Sequence, residues 1–167
     1  MTMQPKQISS WESFDVIHKC VKNEYVKSWL LESGPITKRI GLQRKFKLEL
    51  LSDSIADVEN QDQEFLGSKS KEFKVREVIL HGDDTPIVFA RTIIPVLTIE
   101  DGLDELGRLG SKPLGDILFE RKIFQKKDSV YASFEYKQNS FWGRKIKDVV
   151  NEQPFSVMEI FLFKNEI

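Results

Sequence analysis

The stretch that decides the fold is Phe73-Lys74-Val75-Arg76-Glu77-Val78-Ile79-Leu80-His81-Gly82-Asp83-Asp84-Thr85-Pro86-Ile87-Val88-Phe89-Ala90-Arg91-Thr92-Ile93-Ile94-Pro95. Two β-rich runs, Phe73 to Leu80 and Ile87 to Ile94, flank a polar segment from His81 to Pro86, which is the pattern of a β-hairpin. With Asp83 and Asp84 as the central pair of the turn, Arg76 is expected opposite Arg91. Side chains alternate along a strand, so Arg76 shares a face with Val78 and Leu80, and Arg91 with Phe89 and Ile93. Two guanidinium groups side by side on an apolar face repel one another and are costly to bury. A bound carboxylate would offset both costs through charge-assisted hydrogen bonds. The alternative is that each arginine has its own acidic neighbour, Glu77 or a carboxylate of another strand, or reaches the sheet edge. A one-residue slip in register would also separate the pair.

Working outward, Arg44 to Leu51 alternates Phe46, Leu48 and Leu50 with charged residues, a half-buried strand. Ile117 to Phe124 and Val130 to Tyr136 read as strands around a Lys126-Lys127-Asp128 turn. Trp142 to Val150 and Phe155 to Phe163 read as a last hairpin across Asn151-Glu152-Gln153-Pro154. Ser52 to Lys71 is polar and reads as a loop with at most a short turn of structure. Ser9 and Glu12 have the spacing of a capping box, followed by Trp11, Phe14, Ile17 and Val21 at helical intervals. Tyr25, Val26, Trp29 and Leu30 form a second helical stripe, stopped by Ser33-Gly34-Pro35. Leu103 and Leu106 suggest a helix within Leu97 to Leu109. Helices first, then mostly antiparallel strands with one helix between them, predict an α+β fold. One domain is expected over residues 1–167, with 1–28 as an N-terminal helical segment.

The last strand carries an anomaly. Phe155, Val157, Glu159, Phe161 and Phe163 share one face, and Glu159 is its only polar group. Desolvation is expected to raise its pKa, so that it could donate a hydrogen bond or a proton at neutral pH. A buried ion pair with Arg76 or Arg91 explains it equally well. Gly110-Ser111-Lys112-Pro113-Leu114-Gly115-Asp116 is a loop able to present main-chain amides to a ligand.

Composition narrows the function. The chain has 167 residues, 25 basic and 26 acidic, for a net charge of -1, which points to neither a nucleic-acid nor a membrane partner. No apolar run approaches the roughly 20 residues of a membrane span, and Met1 to Gln7 does not read as a signal peptide, so a cytoplasmic protein is expected. Cys20 is the single cysteine, expected to be half-buried, and the two histidines, His18 and His81, have no metal-ligand spacing. No nucleophile elbow or dinucleotide fingerprint is present. The chemistry is left to Arg, Glu and backbone groups, with no metal and no cofactor.

Six segments in order resemble the chorismate lyase family: Trp29 to Arg39 (WLLESGPITKR), Arg76 to Leu80 (REVIL), Ala90 to Pro95 (ARTIIP), Leu109 to Gly115 (LGSKPLG), Phe141 to Lys145 (FWGRK) and Met158 to Leu162 (MEIFL). The resemblance implies a compact α+β fold, an antiparallel sheet with its site under helix-loop flaps. It implies that Arg76 binds the ring carboxylate of 4-hydroxybenzoate, aided by the backbone of Ile36 and Leu114, and that Glu159 is the acid beside the phenolic oxygen. It also places Arg91 near the site. A methionine is usual where this chain has Ile36; the contact is main-chain, so little harm is expected.

The implied reaction splits chorismate into 4-hydroxybenzoate and pyruvate at the head of ubiquinone synthesis. Arg76 would anchor the ring carboxylate, Arg91 the enolpyruvyl carboxylate, and Glu159 would assist departure of the ether oxygen. Closed flaps imply slow product release and product inhibition. A monomer is expected. The main rival is a non-catalytic ligand-binding module like the sensor domains of certain transcriptional regulators, although only about 28 residues precede the matching segments, too few for a DNA-binding domain. A second rival is a structural protein whose arginines and Glu159 pair internally.

Overall fold

The computed structural model describes residues 4–163; the outermost residues of the expected 1–167 domain, and the first three of the Met1 to Gln7 stretch, lie outside that range. Its elements are β1 (Lys6–Gln7), α1 (Phe14–Ile17), α2 (Glu24–Leu30), α3 (Ile36–Gln43), β2 (Phe46–Ile55), α4 (Asn60–Leu66), β3 (Phe73–Gly82), β4 (Thr85–Pro95), α5 (Leu114–Arg121), β5 (Phe124–Tyr136), β6 (Asn139–Val150) and β7 (Gln153–Phe161). Seven antiparallel strands form one sheet in the order β1-β5-β6-β7-β4-β3-β2. The expected α+β fold with an antiparallel sheet is what forms.

Three two-residue turns set the hairpins. Asp83-Asp84, Lys137-Gln138 and Asn151-Glu152 all have positive φ, the conformation whose twist matches that of the flanking strands. The expected turns at Asp83-Asp84 and at Asn151 to Pro154 are both there. The turn expected at Lys126 to Asp128 is instead a register shift inside the 13-residue β5. The strand expected from Ile117 is helix α5, which starts directly after Pro113. Proline at a helix start has its φ preset, and Leu114 and Ile117, three apart, are both buried.

Other expectations are corrected. Ser9 caps no helix: its Oγ accepts the Ser133 amide at 2.8 Å, and the Glu12 backbone pairs with Tyr131. The start of the described chain thus runs extended beside β5, because an open sheet edge offers more hydrogen bonds than one cap, and within residues 4–28 only α1 and the beginning of α2 are helical. Cys20 is exposed. Ser52 to Lys71 is no loop: β2 continues to Ile55 and α4 follows, ended by Gly67 in the left-handed region. Leu97 to Leu109 forms two short turns, a π-helical one at Thr98–Gly102 and a 3-10 one at Asp104–Arg108, in place of a regular helix.

The decisive correction is the β3–β4 register. Gly82 faces Thr85 and His81 faces Pro86 as expected, but Leu80 faces Val88, so the ladder slips by one residue. Pro86 has no N–H to give the ladder, and the carbonyl of the extra residue, Ile87, accepts the Leu162 amide at 2.8 Å. From the slip onward Arg76 faces Thr92, and Arg91 faces Glu77. Arg76 and Arg91 therefore lie on opposite faces of the sheet.

Both faces are covered. On one, Val78, Leu80, Val88 and Phe161 pack with Trp29, Leu30, Ile36 and Ile40 of α2 and α3. On the other, Ile79 and Phe89 share a cluster with Phe134, Tyr136 and Met158, so strands from distant parts of the sheet meet there. Ile94, Phe155 and Val150 pack under Leu106, Leu109 and α5. Burial at roughly 25 cal/mol per Å² of apolar surface makes these layers the main source of stability.

Candidate active site

A cavity of about 240 Å³ lies between the sheet and the helices α3 and α5. The register lays out its floor in two rows. Val78, Ala90, Glu159 and Arg144 face one another in sequence across β3, β4, β7 and β6; Arg76, Thr92, Val157 and Ile146 form the next row. Arg76 and Glu159 thus stand two strands and one pleat apart, roughly 12 Å between Cα atoms from strand spacing and rise.

Arg76 is only 2% exposed. Its Nε and Nη2 donate to the Gly110 carbonyl at 3.2 and 3.0 Å, and Nη2 donates to the Lys112 carbonyl at 2.7 Å. Gly110 has φ +54°, a backbone state that favours glycine. Burial pushes the Arg76 pKa below its ordinary value, and Asp53, its neighbour on β2, opposes that shift. A cation buried this way is completed by an arriving carboxylate.

The flaps bring two helix starts to the cavity. Ile36 and Leu114 are the first residues of two eight-residue helices, α3 and α5, whose preceding residues are Pro35 and Pro113. Neither helix has a side-chain cap, so the first-turn amides and the positive ends of both helix dipoles remain for a ligand. Both residues line the cavity with Arg76. The two helix starts are tied together: Thr37 Oγ1 donates to Asp116 Oδ1 at 3.0 Å, and a Cβ on Gly115 would stand 3.4 Å from Pro35.

At the other end Glu159, whose side chain is 12% exposed, accepts from Arg144 Nε at 2.9 Å. The ion pair foreseen for Glu159 exists, with Arg144 as partner rather than Arg76 or Arg91. Arg144 is held by the end of α2: Nη1 donates to the carbonyls of Leu30 at 3.1 Å and Glu32 at 2.7 Å. Asp148, two positions past Ile146 on the same face of β6, also lines the cavity. Burial pushes its carboxyl up to about 6; Lys126 opposes this, Glu159 adds to it and Arg144 opposes it.

The structure thus brings Arg76, Ile36, Leu114 and Glu159 to one cavity and leaves Arg91 out. Arg91 Nη2 lies 2.8 Å from Glu77 Oε2 on the far face and also donates to Gln4. Arg144 and Asp148 carry no role in the sequence reading. Alternation along β6 would have found both, since Arg144, Ile146 and Asp148 share the face that meets Glu159. Among the described residues, no group of three His, Cys, Asp or Glu side chains could hold a metal, and no helix is long and apolar enough to cross a membrane.

A curled seven-stranded antiparallel sheet, with helical flaps over a cavity lined by Arg76 and Arg144, defines the α+β class of this chain. In fold it is similar to the effector domain of PhnF from Mycobacterium smegmatis (TM-score 0.56, 11% identity, 78% of this chain and 90% of that one). It is also similar to a GntR-family transcriptional regulator from Enterococcus faecalis V583 (TM-score 0.53, 13% identity, 75% and 98%). The sequence profile described as chorismate lyase matches residues 7–167, and the chain belongs to the chorismate lyase family. Relatives include a probable chorismate pyruvate-lyase of Pseudoalteromonas atlantica, 32% identical over 86% of this chain and 82% of its own length. The chorismate pyruvate-lyase of Pectobacterium atrosepticum is 28% identical over 83% and 77%.

Proposed function

We propose that the protein eliminates pyruvate from chorismate to give 4-hydroxybenzoate, acting as a cytoplasmic monomer at the entry to ubiquinone synthesis. One observation supports this above others: Arg76 and two uncapped helix starts line the same cavity as Glu159, with Arg76 and Glu159 two strands apart across its floor. That polarity suits a ring with a carboxylate at one end and an oxygen substituent opposite.

Arg76 and the amides of Ile36 and Leu114 bind the ring carboxylate and fix the ring over Ala90 and Val157. The C4–H electron pair becomes the third ring double bond, and the C3–O pair leaves with the enolpyruvyl oxygen. The proton lost from C4 ends on the enolpyruvyl methylene carbon as pyruvate forms. Aromatisation drives the step, so the protein need only orient the substrate, exclude water and assist the leaving oxygen. Glu159 gives that assistance by a hydrogen bond or proton to the ether oxygen. The Thr37–Asp116 link keeps the flaps shut over the product, which favours product inhibition.

The test is to incubate purified protein with chorismate and no added metal, and to assay both products. Equal amounts of pyruvate and 4-hydroxybenzoate are expected. Tight binding of chorismate without turnover would favour the sensor-like reading that the fold relatives represent.

A further inference from the structure

With Arg91 on the far face, the cavity still needs a partner for the second carboxylate of a dicarboxylate substrate. Resting on the lyase reading above, we propose that Arg144 is that partner, binding the enolpyruvyl carboxylate through Nη2 while its Nε holds Glu159.

Hydrogen-bond accounting carries the assignment. A guanidinium has five N–H groups. In Arg144, Nε serves Glu159 and the two hydrogens of Nη1 serve Leu30 and Glu32. Nη2 makes no hydrogen bond to the protein among the described residues, yet the residue is 4% exposed and lines the cavity. Arg76 is the mirror case: Nε and Nη2 are taken by Gly110 and Lys112, and Nη1 is left over. Each wall of the cavity therefore presents one buried, charged, uncommitted amino group. Two such groups match two carboxylates on one molecule, whereas a monocarboxylate engages only one.

The position of Arg144 also ties binding to chemistry. Its Nε holds Glu159 at 2.9 Å, so a ligand on Nη2 of the same guanidinium lies next to that side chain. A second carboxylate on Nη2 places the enolpyruvyl group, and with it the ether oxygen, beside Glu159. A monocarboxylate product bound at Arg76 leaves the Arg144–Glu159 pair undisturbed.

The experiment compares wild type, Arg144→Lys and Arg91→Ala. Readouts are the KM for chorismate and the inhibition constant of 4-hydroxybenzoate, with thermal melting to confirm folding. Lysine keeps a charge beside Glu159 but loses the second amino group. Arg144→Lys is expected to raise the chorismate KM about tenfold to a hundredfold, while product inhibition stays within about threefold. Arg91→Ala should move neither. An unchanged KM, or equal losses for both ligands in a folded Arg144→Lys protein, overturns the proposal. Should Arg144→Lys fail to fold, wild type crystallised with 3-(1-carboxyethoxy)benzoate, an unreactive ether carrying both carboxylates, decides the matter. Its side-chain carboxylate belongs within hydrogen-bond reach of Arg144 Nη2, and a position elsewhere refutes the assignment. If wild type binds this ether but does not turn over chorismate, the lyase reading fails while the carboxylate assignment stands.

Discussion

Arg91 faces Glu77 across the β3–β4 ladder, with Arg91 Nη2 2.8 Å from Glu77 Oε2, while Arg76, fifteen positions before it, turns to the opposite face and the cavity. One extra residue, Ile87, produces this divergence. It separates two arginines that an unbroken hairpin would have set side by side, leaving one at the cavity and the other paired with Glu77 on the far face.

Arg91→Ala is accordingly a stability variant. Its side chain is 30% exposed, so loss of the Glu77 pair should cost about 1 kcal/mol or less. Chemical denaturation should show that loss while kcat/KM for chorismate stays near wild type. A large loss of turnover in folded protein would return Arg91 to the site.

Arg76→Ala should weaken 4-hydroxybenzoate binding by about 2–3 kcal/mol, since a charge-assisted bond is removed and the Gly110 and Lys112 carbonyls lose their donor. Calorimetric titration measures it directly. Wild-type affinity in this variant would refute the anchor.

Asp148 gives the pH dependence. Its pKa is raised from 3.8 to about 6 in the folded state, so folding favours the protonated form. That contribution is fully present below the unfolded value and is lost as pH rises through about 6. Asp148→Asn, which never ionises, should match wild type near pH 4 and exceed it at pH 7 by at most about 3 kcal/mol. Urea unfolding of both proteins across that range checks the sign; a gap that shrinks with rising pH would contradict it.

How much the sequence revealed follows from how local each signal is. The hairpin turns at Asp83-Asp84 and Asn151-Glu152 are written in adjacent residues and were legible. So was Glu159, because a lone acid among phenylalanines breaks a period-two pattern. The bulge at Ile87 was hidden, since it depends on Pro86 and on an amide of β7 far away in sequence. Helix α5 was misread because Ile117, Leu118 and Phe124 look β-like when the Pro113 start signal is set aside. Alternation along β6 puts Arg144 and Asp148 on the face of Glu159, but the groups around them come from α2, β5 and β7, which only the fold brings together. The proposed roles of Ile36 and Leu114 rest on family resemblance alone; in the structure both residues stand at helix starts without a side-chain cap and line the cavity.

Glu159→Gln is the most direct measurement of all. The side chain keeps its size and still can hydrogen-bond, but it has no proton to give. The variant should fold, bind 4-hydroxybenzoate within about threefold of wild type, and lose about two to three orders of magnitude in kcat for chorismate. Turnover at the wild-type rate would show that Glu159 only balances the charge of Arg144, and the acid-assisted elimination would have to be abandoned.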